Sequence, residues 1–260
     1  RGRLRPVRDQ KREGFDTEYF PPGTQGYSAQ NMKGPLRISF KSPDPGSEHD
    51  GVDVEYKDRR TRQTETVKCR LPGHQGLKAE KVQALGIGDR DRAYRLGMRR
   101  ASETRYRRWS YSFETELDGN NSDYMGLAGV SDDTPGRGQS ALLLGISLGS
   151  GSYILESSEA FIWEPGVAHT VGIRRQDGTL SGPWTATRIG DYHLSIPTLD
   201  FVPDTSWDRE PPHLLFGPVT RECHRVLISK VTPKGSESVS VQGFNYDDRV
   251  YLYDNASAPD

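Results

Sequence analysis

GDRDRAYRLGMRRASETRYRRWSYSFETEL, residues 88–117, changes its hydrophobic period midway, and that change decides the fold. Up to Arg108, the residues Ala93, Leu96, Gly97, Ala101 and Thr104 fall at i, i+3, i+4, i+8 and i+11, one narrow face of a helix. Asp89 is placed to cap it, because its carboxylate can accept an orphan backbone N–H and complements the helix dipole. The spacing therefore predicts a helix over Asp89–Arg108. Its face is built of small residues, and Gly97 costs about 1 kcal/mol of helix propensity relative to Ala. Close packing on a sheet is the expected compensation. From Trp109 the period becomes two: Trp109, Tyr111, Phe113, Thr115 and Leu117 point one way, Ser110, Ser112, Glu114 and Glu116 the other. That is a strand with one buried face, and a sheet containing Tyr111 and Phe113 is the expected seat of the helix.

Upstream, Leu36–Phe40, Val52–Tyr56 and Thr64–Arg70 alternate or cluster as strands, with a Pro43–Gly51 loop between the first two. Residues 36–130 thus read as an α+β unit. Residues 1–35 are polar and turn-rich and read as an extended arm or connecting segment. Downstream of Tyr124 no helical period is visible. Short strand candidates run at Ala141–Ile146, Tyr153–Leu155, Phe161–Trp163, His169–Ile173, Trp184–Arg188, Tyr192–Ile196, His213–Phe216, Arg225–Val231, Ser238–Gln242 and Val250–Tyr253. Turn signals such as Asp132-Asp133, Gly149–Gly151, Asp177-Gly178 and Lys234-Gly235 separate most of them. Residues 131–260 therefore read as a small barrel or sandwich. The expected class is mainly β with an α+β portion.

Composition narrows the function. The 260 residues include 28 Gly and 17 Pro, and only 33% are hydrophobic, which is lean for one large core. Twelve Tyr, eight Phe and four Trp are nonetheless too many aromatics for a disordered chain. No run approaches the ~18 apolar residues of a membrane span. The chain opens at Arg1 with no charged-then-apolar leader, so a secretory signal is not expected and a piece of a longer polypeptide is. Net charge is -1, from 35 basic and 36 acidic residues, so a global polyanion-binding surface is not indicated. Charge is unevenly placed, however: eight Arg against three acids in Asp89–Arg108, and four Asp against one Arg in Asp247–Asp260. Two cysteines, Cys69 and Cys223, make no disulfide scaffold and lack zinc spacing. A reducing origin fits, with one long-range disulfide as the alternative.

No catalytic or cofactor pattern emerges. The six histidines (His49, His74, His169, His193, His213, His224) show no i, i+4 pairing and no HExxH. His213 with Cys223 and His224 is the nearest approach to a ligand set, and it lacks carboxylate support. The Gly145–Gly151 run opens no helix, so it is not a phosphate cradle. No enzyme activity, metal or cofactor is expected.

The order of motifs adds to this. GVDVEYKD (Gly51–Asp58), CRLPG (Cys69–Gly73), LKAEKVQALGIGDRDRAYRLGMRR (Leu77–Arg100), YSFETELDGNN (Tyr111–Asn121), DDTPGRGQSALL (Asp132–Leu143) and RVLISKVTPKGSESVSVQGFNYDDRVYLYDN (Arg225–Asn255) resemble the tail tip attachment family, or host specificity protein J family, of long-tailed bacteriophages. VRDQKR (Val7–Arg12) and YSAQNM (Tyr27–Met32) belong to the same series; residues 144–212 match least. The resemblance implies a tube-like β–α–β hub domain followed by a small β-barrel domain. It implies a structural virion protein at the tail tip, made in the host cytoplasm and assembled as a homotrimer below the tail tube. The implied neighbours are the distal tail and tape measure proteins, the host surface indirectly, and genomic DNA passing through the channel. No second tube domain, fibronectin-like repeat or coiled-coil stem is visible here. With opposite charges on different faces, Arg99, Arg100 and Arg107 become the candidate subunit contacts.

Two other classes stay open. HLLFGPVTR (His213–Arg221) and GVAHTVGIRR (Gly166–Arg175) suit a jelly-roll polysaccharide lyase or carbohydrate-binding module. Arg1–Arg12 and Arg90–Arg108 suit a nucleic-acid-binding module.

Overall fold

A computed structural model of the chain describes residues 7–15, 19–42, 49–133, 137–149 and 151–259. Arg1–Pro6 of the basic arm, residues 43–48 of the Pro43–Gly51 loop, residues 134–136 of the DDTPGRGQSALL motif and Ser150 of the Gly149–Gly151 turn lie outside the described residues. In chain order the elements are β1 (Gln25–Tyr27), β2 (Arg37–Phe40), β3 (Gly51–Lys57), β4 (Thr64–Cys69), β5 (Ala79–Gln83), α1 (Arg90–Tyr106), β6 (Trp109–Thr115) and β7 (Leu127–Val130). There follow β8 (Gln139–Leu148), β9 (Tyr153–Ser157), β10 (His169–Arg174), β11 (Leu180–Arg188), β12 (His193–Ile196), β13 (His213–Pro218), β14 (His224–Lys234) and β15 (Ser238–Asn245). The described residues are mainly β with one α-helix, as the residue periods predict.

The chain forms two compact units that interleave in sequence: Arg1–Ser39 with Ser110–Tyr246, and Phe40–Trp109 with Asp247–Asp260. In the larger unit, β8–β13 close into a six-stranded barrel in the order β10-β11-β12-β9-β8-β13, every pairing antiparallel. Full closure removes the edges that an open sheet would expose. A jelly roll has eight strands in two sheets; this barrel has six in one. Alternate residues point inward, among them Leu143, Val171, Ile173, Leu194, Ile196 and Leu214, and they fill the lumen. The barrel is a packed core and not a pore.

The same unit carries a mixed sheet in the order β1-β7-β14-β15-β6-β2, in which β1 runs parallel to β7. Tyr111 and Phe113 of β6 are buried here with Tyr27, Val226, Ile228, Val239 and Val241. The stretch expected to be an extended arm thus supplies a strand and, in Phe15 and Phe20, two buried rings. It is stitched to the barrel by Gly26 N–H donating to Gly178 O at 2.8 Å and Leu180 N–H donating to Thr24 O at 2.8 Å.

In the smaller unit α1 packs on a mixed sheet ordered β4-β3-β5. Asp89 caps the helix as predicted, its side chain accepting from Arg92 N at 3.0 Å. The helix does not lie on Tyr111 and Phe113; its seat is β3 and β4. Its buried arc also differs from the predicted one. Ala93, Gly97 and Ala101 are buried, but Met98 and Ser102 complete the arc and Leu96 is 40% exposed. At about 100° per residue, Leu96 lies on one side of Ala93 while Gly97, Ala101 and Met98 continue on the other. Close approach is what Gly97 provides: a Cβ there would stand 2.3 Å from Cys69 Sγ and 2.7 Å from Val54 Cγ2.

Two strand predictions fail. Phe161–Trp163 is irregular; Phe161 is buried in the barrel core and Trp163 packs against it. Val250–Tyr253 begins in a 3₁₀ turn, Asp248–Tyr251, capped by Asp247. Conversely, β1, β5 and β7 form where no strand is predicted.

Candidate functional site

The three arginines singled out by sequence all have partners within their own unit. Arg99 Nε donates to Asp254 Oδ1 at 3.1 Å, its Nη2 takes the other carboxylate oxygen, and its guanidinium lies 4.3 Å from the Tyr251 ring centroid. Arg107 donates to Glu103 at 3.1 Å and to Tyr251 Oη at 2.7 Å. Arg100 forks onto Glu80, whose hydrogen bonds hold the guanidinium proton more tightly than usual. Side-chain exposure separates them: 18% for Arg99 and 8% for Arg107, against 54% for Arg100. Arg90 and Arg95 add to the same surface, donating to Pro259 O at 2.6 Å and Ala256 O at 3.0 Å. Ala258 N–H closes the set on Asp91 at 2.8 Å. The acidic segment 247–259 is thus the partner that the arginine face of the helix takes, and only Arg100 of the three presents most of its side chain to solvent.

The histidines disperse. His213, Cys223 and His224 take separate partners, and among the described residues no group of three His, Cys, Asp or Glu side chains is arranged to hold a metal. His213 bridges Ser28 Oγ at 3.1 Å and Glu210 Oε1 at 3.0 Å. This is the connectivity of a Ser–His–acid relay, which sequence spacing does not reveal because Ser28 lies 185 residues away. Ser28 is 0% exposed, so its hydroxyl is shut off from any substrate and the relay pins the arm to the barrel. Both thiols are buried, and burial pushes each up to about 12, so neither is a nucleophile at neutral pH.

A second buried cluster lies at the turn into β14. Glu222 and Arg225 form an ion pair with side-chain exposures of 0% and 7%. Arg225 also stacks 4.2 Å over Phe20. Burial raises the Glu222 carboxyl above its ordinary range, and the Arg225 charge opposes that without cancelling it. Gly138 makes room for the turn, since a Cβ there would fall 2.0 Å from Glu222 O.

A cleft of about 700 Å³ opens between the arm and the barrel, walled by Tyr19, Phe20, Arg175, Asp177, Trp184 and Asp200. Trp184 Nε1 donates to Ser181 Oγ at 3.0 Å, and Ser181 donates on to Asp200 Oδ1. Arg175 pairs with the other Asp200 oxygen and donates to Leu180 O at 2.8 Å. Burial opposes ionisation of Asp177, but two hydrogen bonds from Thr179 outweigh it and hold the carboxyl below its usual range. Three distant parts of the chain build this cleft, and no local motif marks it.

No protein-family model matches the chain, and no curated protein matches it significantly.

Proposed function

We propose that the chain is a structural component of a phage tail tip, assembled as a homotrimeric hub below the tail tube. The observation that carries this is a set of large apolar side chains left almost bare: Trp207 at 94% and Val202 at 91% exposure in the strandless 197–212 connection, and Leu85 at 90% and Leu77 at 86% in the smaller unit. Trp207 and Val202 lie close in sequence on one connection, and Trp is among the residues enriched at the centres of protein interfaces. The series of motifs resembling the tail tip attachment family, and the presence of a closed barrel and mixed sheets in one chain, support the same reading.

In such a ring each subunit presents one face to the next, and heterologous contacts close only at a fixed rotation. Arg100 is the candidate contact with room to re-pair across that boundary, while Arg99 and Arg107 hold segment 247–259 of their own subunit. An exposed pair contributes only about 0–1 kcal/mol, so the ring relies on the apolar anchors and on neighbouring tail proteins. The barrel lumen is filled, so DNA passes along the trimer axis and not through the barrel.

The test is a reconstruction of the tail tip of the particle that encodes this chain. Three copies about the tail axis, with Trp207 and Leu85 covered by neighbours, are expected. A single copy, or a copy off axis on a side fibre, overturns the proposal.

A further inference from the structure

We infer that the cleft between the arm and the barrel binds a neutral oligosaccharide, a site that goes beyond the hub proposal. Its volume of about 700 Å³ is in the range of small-molecule sites, which are concave and combine apolar walls with a few fixed polar groups. Tyr19, 48% exposed, and the partly exposed Trp184 offer ring surface to the opening. A sugar ring has an apolar C–H face and an edge of hydroxyls, and aromatic rings with a carboxylate alongside complement both.

The polar wall is set before any ligand arrives. Each Asp200 oxygen already accepts one protein hydrogen bond, from Ser181 and from Arg175. A carboxylate oxygen can accept two, so each keeps a lone pair for a sugar hydroxyl. The side chain is 44% exposed, which leaves those lone pairs within reach. The Trp184 ring is oriented by its bond to Ser181, and Arg175 is held by Thr179, Leu180 and Asp200. Such preorganisation lowers the ordering cost of binding.

Charge selects among sugars. Among the described residues that line it, the cleft sets one cation, Arg175, against two carboxylates, Asp177 and Asp200. Arg175 is already neutralised by Asp200, which leaves Asp177 as a net negative charge facing the ligand. Phosphate, sulfate and uronate groups are repelled, and uncharged hydroxyls are not.

The experiment is isothermal titration of the full chain with maltotriose, cellotriose and tri-N-acetylchitotriose, with trigalacturonic acid as the charged counterpart. At least one neutral trisaccharide is expected to bind with a dissociation constant of about a millimolar or tighter. Trp184→Ala and Tyr19→Ala are each expected to weaken it at least about tenfold. Tyr19→Ala alters a half-exposed ring, so its effect is readable even where Trp184→Ala disturbs the barrel. No binding by any of the three, binding unchanged in Tyr19→Ala, or preference for the acidic trimer overturns the inference. Any of these outcomes leaves the hub proposal standing, because that proposal is decided by the tail-tip reconstruction.

Discussion

Arg99 and Asp254, 155 residues apart in sequence, meet in a two-pronged ion pair, with Arg99 Nε donating to Asp254 Oδ1 at 3.1 Å. Around it, Arg90 and Arg95 reach the carbonyls of Pro259 and Ala256, and Arg107 reaches Tyr251 Oη. Together these contacts fasten segment 247–259 along α1. The forked geometry makes the pair stronger than a simple surface contact. Asp254→Ala is expected to lower global stability by about 1–2 kcal/mol, between the values for exposed pairs and for hydrogen bonds to charged groups. Asp254→Asn, which keeps one acceptor, should cost less. Urea unfolding monitored by circular dichroism checks both, and an unchanged midpoint for Asp254→Ala would reject the clamp.

Gly97 gives a test of the seat of the helix. Replacing glycine by alanine in a helix normally gains about 1 kcal/mol. Here the new methyl would meet Cys69 Sγ at 2.3 Å and Val54 Cγ2 at 2.7 Å. Overpacking costs about 1–3 kcal/mol, so Gly97→Ala should melt below wild type and Gly97→Leu lower still. A melting temperature above wild type for Gly97→Ala would mean that the helix does not touch β3 and β4 there.

The Glu222–Arg225 pair is buried, so removing one partner strands the other. Glu222→Ala is expected to cost about 3–5 kcal/mol. Replacing both with apolar residues, Glu222→Leu with Arg225→Met, removes the uncompensated charge and should cost less than the single change. Chemical denaturation of both variants decides it; a double variant weaker than the single one would mean the pair contributes net stability.

His224 makes stability depend on pH. Burial, aided by the Arg137 charge and opposed by Asp132, lowers its pKa from 6.5 to about 4. His213 is lowered in the same direction, first by burial. The unfolded chain therefore binds these protons before the folded chain does. The stability contributed by neutral His224 is whole above pH 6.5 and drains as pH falls toward 4, amounting to roughly 3 kcal/mol below that. Melting temperature should fall between pH 7 and pH 4.5, and the fall should be shallower in His224→Gln. Equal slopes for the two proteins would exclude His224 as the source.

Elements with a local signal could be read in advance. Asp89 capping Arg92, the alternation through Tyr111 and Phe113, and the Val52–Tyr56 strand need only neighbours in sequence. What could not be read depends on distant partners. β1 is three residues long and exists because β7 lies parallel to it, about 100 residues on. β5 likewise owes its form to a parallel pairing with β3. Leu96 and Met98 are both apolar and both helical, and only the sheet beneath decides which is covered. The two units interleave because β1 pairs with β7 and because segment 247–259 returns to α1, and nothing near Val241 signals Phe113 as its partner. The cleft is hidden for the same reason: Tyr19, Trp184 and Asp200 are isolated residues until the arm crosses the barrel.

The interleaving has a consequence for synthesis. A ribosome delivers the chain from one end, and the strands of the barrel, residues 139–218, and of the β4-β3-β5 sheet each emerge in an unbroken run. Both mixed assemblies wait on late residues: the larger sheet lacks β14 and β15 until residue 245 is made, and α1 lacks its acidic clamp until residue 259. Tyr111 and Phe113 therefore find Tyr27 and β2 already made but wait more than a hundred residues for β15, and the helix finds β3 and β4 already made but not Asp254. Pairings this distant in sequence close slowly, and exposed strand edges in the interval invite association between nascent chains.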